Sequence, residues 1–180
     1  LFTISDTIIK LIGDLYKDTV IFSIASFSAL IPVCIYLLYR KSLEEIKTKN
    51  YKLHIVRGIL MTLTYYFIVK GIILLPLSIA YPIILSAPVL LSVLGILILK
   101  ESINLSKIFS LVLAMAAVLL VSGFSLSVGF NAQGVLFLVL GVISVACLEF
   151  SVRVYGKFER TVALTFYSML FTGVIFFIFS

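Results

Sequence analysis

Charges in this sequence are spaced so widely that the chain between them reads as a series of membrane spans. Apolar runs at about 1–13, 19–39, 53–74, 76–99, 105–123, 133–152 and 162–180 are separated by the joints GDLYKD, RKSLEEIKTKNYK, LLP, KESINLSK, GFSLSVGFNAQG and RVYGKFER. A helix crosses the hydrocarbon core in about 20 mostly apolar residues, and inside lipid only a helix or a closed barrel satisfies its own backbone. An all-α membrane protein with seven helical segments is therefore expected, the outer two incomplete. Joints this short make neighbouring segments antiparallel. The balance of 62% apolar to 12% charged residues excludes an ordinary soluble domain, where charged residues run near about 25%. The first run is not a signal peptide, because Asp6 and Lys10 interrupt it. With Leu1 at its start and GVIFFIFS at its close, the chain is expected to be a fragment cut inside a hydrophobic segment at each end.

The formal charge of +6 does not indicate nucleic acid, since the basic residues are scattered through the joints rather than gathered on one solvated face. Their distribution orients the chain instead. On one side lie Arg40, Lys41, Lys47, Lys49, Lys52, Arg57, Lys100, Lys107, Arg153, Lys157 and Arg160, and on the other only Lys10, Lys17 and Lys70. Cytoplasmic joints carry the Lys/Arg excess, so an eleven-to-three split puts the 40–52 joint in the cytoplasm; the membrane expected is the cell inner membrane. Cys34 and Cys147 sit in separate apolar runs without a CxxC or a neighbouring His, so no disulfide framework, metal site or cofactor is indicated. His54, at the approach to the third span, is expected on solvated surface.

An internal repeat carries the most information. Asp6, Lys10 and Gly13 recur 143 residues on as Glu149, Arg153 and Gly156, each set ending one apolar run and opening the next. Five segments, an odd number, separate the copies, so the second enters the membrane upside down. The joints agree, since GDLYKD on the Lys/Arg-poor side becomes GKFER on the rich side. Inverted repeats of this kind are a signature of secondary transporters.

The stretches HIVRGIL at 54–60, LLPLSIAYPIILSAPVLLSVLGILILKE at 74–101 and LSKIFSLVLAMAAVLLVS at 105–122 resemble the EamA family of the drug/metabolite transporter superfamily. The family pattern falls on Arg57, Gly58, Pro76, Leu77, Ser78, Ala80, Pro88 and Glu101. The resemblance implies a multi-pass helix bundle built from inverted five-helix repeats, ten helices in full. Here a first repeat would cover 1–123, with its first helix truncated, and the first two helices of a second would cover 133–180. Within the family, HIVRGIL, the first-span Ser5-Asp6 with Lys10, and LTFYS at 164–168 are most similar to S-adenosylmethionine uptake transporters of intracellular bacteria.

Helical spacing sorts the polar residues of the third span onto a stripe of Gly58, Thr62, Tyr66 and Lys70, with Tyr65 beside it. The fourth span presents Ser78, Tyr81, Pro88 and Ser92, flanked by Pro82 and Ser86. Two such stripes suit either a water-accessible cavity wall or close helix packing, in which small residues let backbones approach. Thr62, Tyr65, Tyr66, Tyr81 and Ser86 are thus candidates for substrate contact. Pro82 and Pro88 are expected to kink the fourth span along the path, and Pro32 the second. An acid at membrane depth normally has a partner or a task. Asp6 and Glu149 each precede a base by four residues, so they either form snorkelling ion pairs or meet a substrate cation or a proton, with aromatic faces adding cation–π attraction. Arg57, Lys70 and Glu101 are read as gate or clamp residues.

A membrane enzyme would need clustered nucleophiles, bases or metal ligands, and one His with two isolated Cys does not supply them. A channel filter or charged ring is likewise missing, and no Gly-Lys-Ser/Thr phosphate loop is present. The expected function is a secondary transporter moving a small metabolite by alternating access, with S-adenosylmethionine uptake the specific case. Export of amino acids or cationic drugs is the alternative within that class; a non-transporting membrane subunit or a membrane-embedded enzyme is the alternative outside it. Single cysteines placed at positions 14 and 157 should label from opposite compartments, and labelling from the same compartment would end the inverted-repeat reading.

Overall fold

The computed structural model describes residues 17–40, 43–48, 50–101, 108–109, 112–113, 116, 131–156 and 158–180. Among them secondary structure is helical throughout: α1 (Asp18–Arg40), a 3-10 turn (Leu43–Ile46), α2 (Tyr51–Leu74), α3 (Leu77–Ile84), α4 (Ala87–Leu99), α5 (Ala132–Tyr155) and α6 (Thr161–Ile178). Five stretches, Thr19–Arg40, Tyr51–Leu74, Leu77–Leu99, Ala132–Tyr155 and Thr161–Ile178, are long and apolar enough to cross a membrane. They coincide with five of the seven expected runs. The 1–13 run lies outside the described residues, as does most of 105–123.

Local chemistry explains the boundaries. Asn131 caps α5, its Oδ1 accepting from the backbone N–H groups of Gln133 (3.0 Å) and Gly134 (3.2 Å), two of the donors that a helix start leaves unpaired. The fourth expected span breaks at Leu85–Ser86 into α3 and α4. Pro82 lies inside α3 and Pro88 in the first turn of α4, and neither nitrogen can donate to the turn before it. The chain tightens there, Ser86 N–H reaching Ile83 O at 3.1 Å before Val89 N–H restarts the ladder on Ser86 O at 3.0 Å. Pro32, by contrast, sits within an unbroken α1. Helix α4 ends on Lys100, in the left-handed region at φ 51°, with Glu101 N–H bonded back to Gly95 O at 3.3 Å.

The chain forms two compact units, one of residues 1–65 with 151–180 and one of residues 66–150. In the first, α1 and α6 run antiparallel. Lys17 Nζ donates to Ser180 O at 3.2 Å, the Phe22 ring lies 4.8 Å from that of Phe176, and Phe27 covers Gly173, so residue numbers rise along one helix as they fall along the other. In the second unit Ile72, Leu75, Ala80 and Leu138 form a buried cluster, flanked by Ile68, Ile79, Ile83 and Val135. Gly134 makes this contact close, since a Cβ there would stand 2.8 Å from Leu75 Cγ and 3.0 Å from Leu74 Cβ. Elsewhere the helices turn apolar side chains outward. Leu97 is 71% exposed and Ile98 59%, and only 11% of the Leu77–Leu99 span is buried, as expected of a surface solvated by lipid. Gly134→Val should therefore lower the unfolding midpoint in detergent by an overpacking penalty of about 1–3 kcal/mol. Leu97→Ala should leave it nearly unchanged.

Candidate functional site

Among the described residues, the largest concentration of buried polar groups lies in the unit of residues 1–65 and 151–180, at its Lys/Arg-rich end. His54, one turn into α2, is 1% exposed, Arg57 5% and Glu159 9%. The expectation of a solvated His54 is thus corrected. The joint after the 3-10 turn and the turn before α6 fold over the ring, and Tyr167 of α6 packs against it with 4.6 Å between centroids.

Thr48 organises the group. Its Oγ1 lies 2.9 Å from Glu159 Oε1, 2.9 Å from His54 Nε2 and 3.0 Å from the backbone N of Asn50. A hydroxyl has one proton to give, and an ionised carboxylate can only accept. Thr48 therefore donates to Glu159 and accepts from Asn50 N–H and from His54, which fixes the Nε2–H tautomer of the neutral ring. The other ring nitrogen, Nδ1, is then a buried lone pair without a hydrogen-bond partner among the described residues. Glu159 Oε2 stands 3.8 Å from His54 Nε2. One turn along α2, Arg57 Nη1 donates to Ser151 Oγ at the end of α5. An open pocket of about 560 Å3 beside the cluster is lined by Glu45, Gly156, Phe158, Glu159, Arg160 and Thr161. On the solvated rim Glu44 pairs with Lys47 at 3.0 Å, and that hydrogen bond and charge hold the Glu44 carboxyl below its usual range.

Deeper in the same unit Gly58 brings α2 and α6 together, since a Cβ there would stand 2.5 Å from Phe171 Cβ. Thr62 Oγ1 donates to Gly58 O at 2.8 Å, and Thr172 Oγ1 lies 3.4 Å from both that carbonyl and the Thr62 hydroxyl. Thr62 is therefore engaged in a helix contact. Tyr65 stacks obliquely on Phe22 at 6.2 Å.

In the unit of residues 66–150, Tyr66 is 41% exposed and meets Phe67 and Phe137 edge-on. Ser86 Oγ turns back to Ile83 O at 2.6 Å, at the break between α3 and α4. Tyr81, Pro82, Lys70 and Glu101 are half-buried, whereas Pro88 and Glu149 are exposed. Tyr81, Lys70 and Glu101 each have an interaction partner. Asp6 lies outside the described residues, as do Lys10, Gly13 and Lys157. No group of three or more His, Cys, Asp or Glu suited to a metal ion occurs among the described residues.

Sequence spacing gave no sign of the Thr48–His54–Glu159 cluster. One signal was available: an ionisable His only three residues into a 24-residue apolar helix has to find a polar partner or reach water. Glu159→Leu should cost about 1–3 kcal/mol by stranding the Thr48 hydroxyl, and Glu159→Gln, which keeps an acceptor in place, should cost less. Thermal unfolding of the two variants checks the order.

Residues 1–123 match the model of the EamA-like transporter family. No curated protein and no solved structure matches the chain.

Proposed function

Because the chain belongs to the EamA-like transporter family, matched over residues 1–123, and carries five helices able to cross a membrane, we propose that it is a secondary transporter working by alternating access. It is a multi-pass membrane protein whose substrate is a small molecule, and in our reading its membrane is the inner membrane, with the 40–52 joint in the cytoplasm. S-adenosylmethionine is the first substrate to test, with amino acids and cationic drugs as the alternatives.

The observation that carries the reading is the α1–α6 pair. The helices begin at Asp18 and Thr161, which are 143 residues apart, the displacement that also superposes Asp6, Lys10 and Gly13 on Glu149, Arg153 and Gly156. Their contacts run antiparallel. Helix ends carry a tolerance of one or two residues, and the agreement lies within it. Two related helices pointing in opposite directions support repeats at 1–123 and 133–180 that cross the membrane in opposite senses, the architecture on which rocking-type transport rests. Within residues 66–150 we place substrate contact at Tyr66, Tyr81, Ser86 and Glu149, where aromatic rings and an acid would suit a cationic metabolite. In the other unit Thr62 and Tyr65 are held by packing, and their contribution would be to helix contact.

Uptake by the full-length protein in proteoliposomes tests the reading. Saturable, exchange-stimulated flux of one of the three substrate classes is expected. Absence of flux together with turnover of a lipid substrate would favour a membrane-embedded enzyme. Glu149→Gln should reduce uptake of a cationic substrate at least tenfold; unchanged uptake with an unchanged pH profile would remove Glu149 from the mechanism.

A further inference from the structure

A transporter without a nucleotide motif draws on exchange or an ion gradient, and the cluster around His54 has the features of a site for the simplest such ion. The ring is almost fully enclosed, at 1% exposure. Its Nε2–H is committed to Thr48 at 2.9 Å, and its Nδ1 lone pair has no donor among the described residues. A buried ring whose Nδ1 meets no donor among the described residues contributes nothing to packing that Leu or Phe would not, and polar groups retained in such places mark functional sites by default.

The ring is also where separate segments of one unit are tied. Thr48 comes from the joint after the 3-10 turn, His54 from α2, Glu159 from the turn before α6 and Tyr167 from α6 itself. Charged and titratable groups face it from each side. Glu159 approaches within 3.8 Å, Arg57 lies one turn further along α2 and is bonded to Ser151 of α5, and Tyr167 covers one ring face. Glu45 and Arg160 line the pocket rim that Glu159 shares. With the segments joined, a proton on Nδ1 would be a buried N–H without an acceptor among the described residues, a desolvation cost that the Glu159 carboxylate offsets only in part and that the Arg57 guanidinium adds to. With the segments apart, water reaches both ring nitrogens and the charged ring is solvated.

We propose that His54 is the proton-binding site that couples opening of the Lys/Arg-rich end to uptake of one proton per chain. The proton moves from water to Nδ1, giving an imidazolium; the Thr48–Glu159 hydrogen bond is the latch that parts as it does so, and Glu159 is a positioning residue. Coupling to substrate flux rests on the transport reading, whereas proton binding and opening do not.

His54 is the only histidine in the chain, so protein labelled with 15N-histidine in lipid nanodiscs gives one imidazole spectrum. The Nε2–H tautomer is expected at pH 8, converting to imidazolium as the pH falls to 5. Spin labels at two exposed positions flanking the latch, Lys47→Cys and Phe158→Cys, with Cys34 and Cys147 replaced by Ala, should move apart over the same pH range. His54→Gln should abolish that movement, and Glu159→Gln should shift its midpoint. A ring that stays neutral down to pH 5 in folded protein, or one that titrates while the label distance holds constant, overturns the proposal; both readings come from protein with a native latch, so a misfolded His54→Gln leaves the test intact. In proteoliposomes, His54→Gln should keep substrate exchange but lose uptake driven by a pH gradient. Titration and opening without flux of any substrate would sustain the proton site and overturn the transport reading instead.

Discussion

Contact between the helices of this chain depends on how closely their backbones can approach. In lipid an apolar side chain gains nothing by leaving its solvent for a neighbouring helix, so dispersion and hydrogen bonds between close surfaces hold a bundle together. Two of the close approaches are made by a missing side chain. At Gly58, α2 comes near enough to α6 that its carbonyl is shared by the hydroxyls of Thr62 and Thr172. At Gly134, the first turn of α5 rests on Leu74 and Leu75. Large apolar residues such as Leu97 and Phe177 are left facing outward, where a soluble protein would bury them.

Against that background the polar cluster at Thr48, His54 and Glu159 is anomalous, and its composition says why it holds together. Each member satisfies another: the hydroxyl gives its one proton to the carboxylate and takes one from the ring and one from Asn50. A network completed in this way costs far less than its parts, and it fails as a unit if one partner goes. Only the Nδ1 lone pair falls outside the accounting, which makes the ring the point at which the cluster responds to its surroundings.

Much of the fold was legible because lipid leaves few options. Apolar length fixed the five described spans to within a few residues, and the two prolines of the fourth marked where it divides. The Lys/Arg count put the 40–52 and 153–160 joints on one side, and the Thr48–Glu159 hydrogen bond does join them. The cluster was not legible, because its members are ordinary joint residues 105 positions apart from His54 to Glu159, and a charge beside a span end looks solvated until a second joint folds over it. Thr62 shared a stripe with Tyr66, with Tyr65 beside it, yet that stripe does not distinguish a cavity wall from a helix contact. The distinction lies in what stands opposite, Thr172 for one and Phe22 for the other, and neither is near in sequence.

The same unit is held by different chemistry at its two ends. Where α1 begins and α6 ends, the described ties are the buried Phe22–Phe176 ring pair and an exposed hydrogen bond from Lys17 to Ser180 O, the latter a kind of contact that water competes for and that contributes little. Where α2 and α6 begin, the ties are polar and part-buried: Thr48 to Glu159, His54 to Thr48 and Arg57 to Ser151, each sheltered from some of the water that would compete for it. The two ends therefore differ in kind, one joined chiefly by aromatic rings and the other, at the Lys/Arg-rich end, by a polar network that a change in charge can loosen. Among its members the neutral ring is the one whose charge changes in the physiological pH range without a covalent event, so the group best placed to release that end is also the one that needs only a proton to do it.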